Sequence, residues 1–264
     1  MTWSLARAGD LREELRLPAA SAAADEARLL RLLEDVSAGI ENWLGRSLRV
    51  VENAVTVVDG FGGRVLPIPD HAAVPAVACD LDRDGIYETS VPAADLRAVR
   101  FHTAVTGLVL LTGAPIAAWP TGEGAVQLTG TRGFGDEREP LGTLTAPLSA
   151  SASTMTLPAG AGPGDTLVID GERIYVRTSA GAVARGVRGT AAAAHPAGAA
   201  IEREVYPRAL VRAALLQATR LHREGLEAYA AAGGGEFVGP VMSTTYPVVR
   251  DLLAPYRRTF AAVA

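Results

Sequence analysis

Residues Asp25–Leu44 read DEARLLRLLEDVSAGIENWL. Leu29, Leu33, Val36, Ile40 and Trp43 recur at steps of four, three, four and three, the spacing of one face of an α-helix. Leu30, Leu32 and Leu44 widen that stripe, while Glu34, Asp35 and Glu41 fall toward the wet side. Ser21 or Asp25 suits the N-cap, and Gly45 suits the left-handed position past the last turn. A helix of about five turns is not stable alone in water. This one needs partners, and the rest of the chain must supply them.

Upstream, residues 8–17 (AGDLREELRL) read as a short helix ended by Pro18, with Leu11 and Leu15 one turn apart. Downstream the period changes to two. Val51–Asp59 alternates and is rich in β-branched residues, which predicts a strand. Gly60–Gly63 is a turn, and Arg64–Ile68 a second strand stopped by Pro67 and Pro69. Val74–Leu81 and Gly85–Val91 follow, with DRDG between them as a hairpin turn. Residues 95–101 and 107–112 are further short strands, and Ala125–Thr131 runs into RGFGDEREP. From Leu141 the texture is short strands and small-residue turns: Thr154–Leu157, Thr166–Ile169, Arg173–Arg177 and Ala182–Val187, with Asp170-Gly171 as a hairpin signal. Helical spacing returns at Pro207, with Leu210, Ala214, Ala218 and Leu221 on one face. Gly233–Gly235 reads as a tether, and a last helix starts near Pro247 and stops near Pro255.

The natural partners of Asp25–Leu44 are thus the helices after residue 206. The expected fold is α+β: a helical bundle base, a small antiparallel β excursion, and an inserted small β-barrel or sandwich. The expected domains are 1–140 together with 206–264, and an insert at 141–205.

Composition narrows the function. All 25 basic residues of the 264 are arginine. A chain without lysine has neither a Walker-type phosphate loop nor Schiff-base chemistry. Eighteen arginines face 25 acids up to residue 206, but seven face four thereafter, so the C-terminal part is mildly basic and suits an acidic partner or a solvated helix face. A net charge of −4 gives no footprint for wrapping a duplex. The single cysteine, Cys79, allows no internal disulfide, and MTWSLARAGD has no apolar signal-peptide core. No apolar run approaches a membrane span, so no membrane contact is expected.

Four stretches together carry a resemblance: LLRLLEDVSAGIENWLGRSL, the segment VTVVDGFGGRVLPIPDHAAVPAVACDLDRDGIYE, the strand VQLTGTRGFGD, and the closing LLAPYRR. Their order resembles that of the head–tail connector, or adaptor, proteins of long-tailed phages and phage-like particles, over residues 8–140 and 206–258. The chain departs from the pattern where the strand ending in GFGD passes directly into a helix. Here Glu139-Pro140 and Tyr206-Pro207 read as the two sides of that junction, and an insert lies between them. The resemblance implies a structural virion neck protein, assembled in the host cytoplasm. It would form a ring, usually of twelve subunits, that joins the portal protein to a stopper or other tail-side neck protein and passes double-stranded DNA. Another neck ring, or a carbohydrate-binding module carried by the insert, are the alternatives.

No catalytic cluster is expected: His71, His102, His195 and His222 have no HExxH or CxxC company, no G-x-S-x-G elbow exists, and no cofactor is implied. Asp80, Asp82 and Asp84, followed by Gly85, match the first half of a calcium loop. Position 12 is Val91 rather than glutamate and the flanks read as strands, so a polar hairpin turn is expected rather than a metal site. Trp43 reads as core. Trp119, between Ala118 and Pro120, is the candidate for contact with a neighbouring subunit, and Tyr256, Arg257 and Arg258 are candidates for contact with a partner ring.

Overall fold

The computed structural model describes residues 3–18, 22–231 and 247–258. Ser21 and Gly233–Gly235 lie outside them. Among the described residues the chain is mostly β, with twelve strands in two antiparallel sheets and four α-helices. The expectation of a helical bundle base with β excursions is therefore corrected. The physical reason is that each sheet closes its own apolar core. Leu66, Ile68, Val105, Leu108, Val126 and Leu128 centre one, and Leu167, Ile169, Ile174, Val176 and Ile201 centre the other.

Contacts divide the chain into two compact units. The first comprises residues 1–45, 137–187 and 191–264. It holds α1 (Ala8–Leu15), α2 (Ala22–Leu44), α3 (Arg208–Ala231) and α4 (Pro247–Leu253). It also holds the five-stranded sheet of β8 (Arg138–Thr143), β9 (Thr166–Ile169), β10 (Glu172–Val176), β11 (Val183–Ala184) and β12 (Ala200–Glu204), in the order β11-β10-β9-β12-β8. The predicted face of α2 is buried: Leu29, Leu33, Val36, Ile40 and Leu44 are at most 1% exposed, and Trp43 is half-buried. Its partners include Leu11 of α1 and the face of Leu210, Ala214 and Ala218 on α3, all fully buried. They also include the sheet. The Tyr175 hydroxyl on β10 donates to Glu34 at 2.9 Å and the Ser179 amide, in the turn after β10, donates to Glu26 at 3.0 Å, while in α1 the Ala8 amide donates to the Pro163 carbonyl at 2.9 Å. The segment from 141 to 205 leaves and re-enters the chain at one place, because β8 pairs with β12 (Arg138 opposite Glu204) and the Val205 amide donates to the Glu137 carbonyl.

The second unit comprises residues 46–136 and 188–190. Its curled sheet contains β1 (Val51–Phe61), β2 (Val65–His71), β3 (Ala76–Cys79), β4 (Thr89–Val91), β5 (Leu96–Phe101), β6 (Ala104–Leu110) and β7 (Thr121–Arg132). The order is β4-β3-β7-β2-β6-β5, and β1 pairs with β7 along nearly its whole length. Sequence reasoning ended β2 at its prolines, but the strand runs through both. The ladder to β6 is irregular between Pro67 and His71, where a missing N–H costs no ladder bond. Arg46 is the polar centre of this unit. Its side chain is wholly buried, pairs with Asp70 at 2.6 Å, and lies between the rings of Phe101 and Phe134 at 4.9 and 4.6 Å.

Candidate functional site

The outer face of the second unit is unusual in what it leaves in water. Among the described residues, nine large hydrophobic side chains are exposed, and eight of them belong to this unit: Val55, Val57, Phe61, Val65, Leu81, Ile86, Val99 and Leu111. Strand alternation explains the placement. Thr56 and Val58 of β1 sit opposite Leu128 and Val126 on the inner face. Val55 and Val57 therefore point out, opposite Thr129 and Gln127, which in turn face Ala76 and Ala78 of β3. The result is a face on which small and β-branched residues lie between Asn53 and Asp59, with Val55 62% and Phe61 69% exposed.

Charge gathers at one end of this face. Sequence reasoning expected a two-strand hairpin at DRDG, but Cys79 pairs with Thr89 and all of residues 80–88 form the loop. Asp80, Asp82, Asp84 and Glu88 bring carboxylate oxygens within 4.8 Å of one another, and these residues could hold a divalent cation. Only Asp80 of the four is buried, and it acts as the staple of the loop: Oδ1 accepts the Arg83 amide at 2.6 Å and Oδ2 the Gly85 amide at 2.9 Å. Burial, with Glu88 nearby, pushes the Cys79 thiol up to about 11, so this cysteine is an inert core residue.

The other sequence candidates lie elsewhere. Trp119 is not at the surface. It is 1% exposed, belongs to the core of the second unit, and donates its indole N–H to the Arg64 carbonyl at 3.1 Å. Tyr256, Arg257 and Arg258 belong to the first unit, where the chain end returns to α2. The Arg257 guanidinium lies 5.3 Å from the Trp43 ring centre, and the Arg258 amide donates to the Leu44 carbonyl at 3.1 Å. Arg257 is exposed, and Tyr256 and Arg258 are half-buried. Tyr256, Arg257 and Arg258 thus belong to the first unit and the exposed apolar side chains above to the second.

Sequence reasoning missed one buried charge centre, in the five-stranded sheet. Glu172 accepts both Nε and Nη2 of Arg185 at 2.7 Å, the amides of Gly186 and Ala193, and His195 Nε2 at 2.8 Å. His195 Nδ1 faces Asp170 at 2.9 Å. Burial alone would raise the Glu172 pKa. Arg185, the Ala193 amide, His195 and the Gly186 amide outweigh it and hold the carboxyl at about 2. The signal was the pairing of DGER with ARGVRGTAAAAH, which supplies one acid and the donors that surround it. Both oxygens of Glu172 and both ring nitrogens of His195 are engaged in holding the 185–195 segment to the β9–β10 hairpin.

Comparison with family models, curated proteins and solved structures gives no match for this chain.

Proposed function

We propose that this chain is a structural neck protein of a phage-like particle, a ring-forming adaptor that joins the portal to the next neck or tail ring and lets double-stranded DNA pass. The observation that carries the reading is the crowding of eight of the nine exposed large hydrophobic side chains onto the 46–136 unit. Exposed apolar side chains gathered on one unit in this way are costly in water and are characteristic of a surface covered in an assembly. The four-stretch resemblance supplies the kind of assembly. Two of its stretches have structural work in this chain: Phe134 of GFGD stacks on Arg46 of the segment that follows α2, and the closing LLAPYRR folds back onto Trp43 and Leu44.

In this reading the mechanism is assembly rather than catalysis. The apolar face is covered by protein, and the net charge of −4 limits sticking of DNA to the ring. The test is electron microscopy and co-sedimentation of the full chain with the portal rings of the same particle. An added ring of density on the portal is expected. A chain that stays monomeric and unbound in the presence of portal rings overturns the reading. A monomer without the portal leaves it standing, because portal docking can supply the nucleus for the ring.

A further inference from the structure

The curled sheet of the second unit has two edges whose side chains complement each other. Among the described residues β1 pairs only with β7 and β5 only with β6, so each offers one row of backbone N–H and C=O groups outside the sheet's ladders. Arg188 covers only the start of the β1 edge, through the Glu52 amide. Exposed strand edges template pairing with another chain unless they are guarded by bulges, prolines or like charge; the ladder irregularities here lie between Val51 and Ala54, between Val58 and Gly60, and between Val99 and Arg100, which leaves Ala54–Val58 and Leu96–Val99 in regular register. These two edges differ in charge. The exposed side chains of β1 are Asn53, Val55, Val57, Asp59 and Phe61, and Glu123 on β7 is exposed near the same end. The exposed side chains of β5 are Arg97, Val99 and Arg100. The Arg97 side chain has no hydrogen-bond or ion-pair partner among the described residues.

We propose that β1 of one copy of this chain pairs antiparallel with β5 of the next, with Val57 opposite Val99 and Asp59 opposite Arg97. Opposed residues of a strand pair share a face, so this register joins valine to valine and acid to base on the outer side of the sheet. Two different edges meet, so the contact is head-to-tail, and its repetition generates a closed ring or an open filament rather than a two-fold dimer. The Asp59 and Arg97 ends also favour this pairing over one between two β1 edges, which gives Asp59 no basic partner. The contact rests on the adaptor reading for the closure of the ring, and on the two edges for its chemistry.

The experiment uses the full chain with Val57→Cys in one preparation and Val99→Cys in another. Both positions are exposed, and the native Cys79 is fully buried. Mixed under mild oxidation, alone and on portal rings, the two preparations are expected to give a disulfide-linked pair as the main product, whereas each alone gives little. Arg97→Glu in the Val99→Cys chain is expected to lower that yield several-fold, and so is high salt. A mixture that cross-links no better than a Leu111→Cys control, both with and without portal rings, overturns the proposal. Portal binding without the cross-link removes this contact and keeps the adaptor reading. The cross-link without portal binding does the reverse.

Discussion

Asp165 and Glu172 are buried acids in the same unit, and their environments push them in opposite directions. Glu172 is surrounded by donors, so its contribution to stability is present above the ordinary carboxylate range and is lost as pH falls through about 2. Asp165 is desolvated and has one amide donor, Gly162 at 2.9 Å, with Arg203 at 3.7 Å. Burial outweighs the Gly162 amide, Arg203 and Arg7, and pushes its pKa up to about 6. The folded state therefore favours the neutral carboxyl. Its stabilising effect is present below pH 4 and lost as pH rises through about 6. Asp165→Asn keeps an acceptor for the Gly162 amide and removes the charge. The variant is expected to be more stable than the parent at pH 7.5, by roughly 3 kcal/mol on the scale of 1.4 kcal/mol per pKa unit, with the difference vanishing near pH 4. Urea denaturation at the two pH values checks this, and an advantage that does not depend on pH contradicts the assignment.

At the scale of elements, the α2 face was legible because a 3.6-residue period over five turns has few competing readings. The strands were less so, for reasons that can be named. β7 begins at Thr121 with TGEG, and Gly122 and Gly124 both adopt positive φ, so its first turns carry no alternation to read. Thr154–Leu157 looks like a strand but makes only an isolated bridge from Thr154 to Ala182, and β11 shrinks to Val183–Ala184. The acidic loop was read from its residues, but its length depends on the pairing of Cys79 with Thr89, which lies outside local pattern. Trp119 was misplaced because its flanking Ala118-Pro120 says loop, whereas burial is decided by the distant Arg64 carbonyl. The RGFGD turn shows how a readable motif acquires meaning only in three dimensions. Gly133 has φ of +142°, and a Cβ there would lie 2.6 Å from the Arg49 carbonyl oxygen and 2.9 Å from the Val50 Cα. Gly133→Ala is expected to destabilise the chain by more than about 2 kcal/mol, since backbone cannot move aside without displacing Phe134 from Arg46. Thermal melting checks it, and a melting temperature within a degree of the parent refutes the packing argument.

At the scale of the whole chain, the segment 141–205, which reads as an insert in the sequence, is not a separate body. It shares one compact unit with the helices, whereas residues 46–136 form the other. Its attachment is specific and spread over several sites. Gly164 lets the backbone pass the Ala6 carbonyl, to which an added Cβ would be 2.7 Å, and Leu30 Cδ1 would be 3.5 Å from the same Cβ. Arg7 donates to the Gly160 carbonyl at 2.9 Å, and Tyr175 and Ser179 reach Glu34 and Glu26 of α2. A helix of this length is marginal without covering partners, and here part of its cover is the five-stranded sheet. Loop insertions are usually removable, because closing a shorter loop costs the host little. That rule fails where the insert has become part of the host's core. Deletion of 141–205 with a short linker is accordingly expected to reduce the helical signal and expose Leu30 and the α1 segment, while the sheet of residues 46–136, which has its own core, keeps its protection. Hydrogen exchange resolved along the chain separates the two outcomes. Slow exchange retained in α1 and α2 after the deletion would mean that the helices close on one another alone, and that the contacts at Gly164, Tyr175 and Ser179 decorate the helices without supporting them.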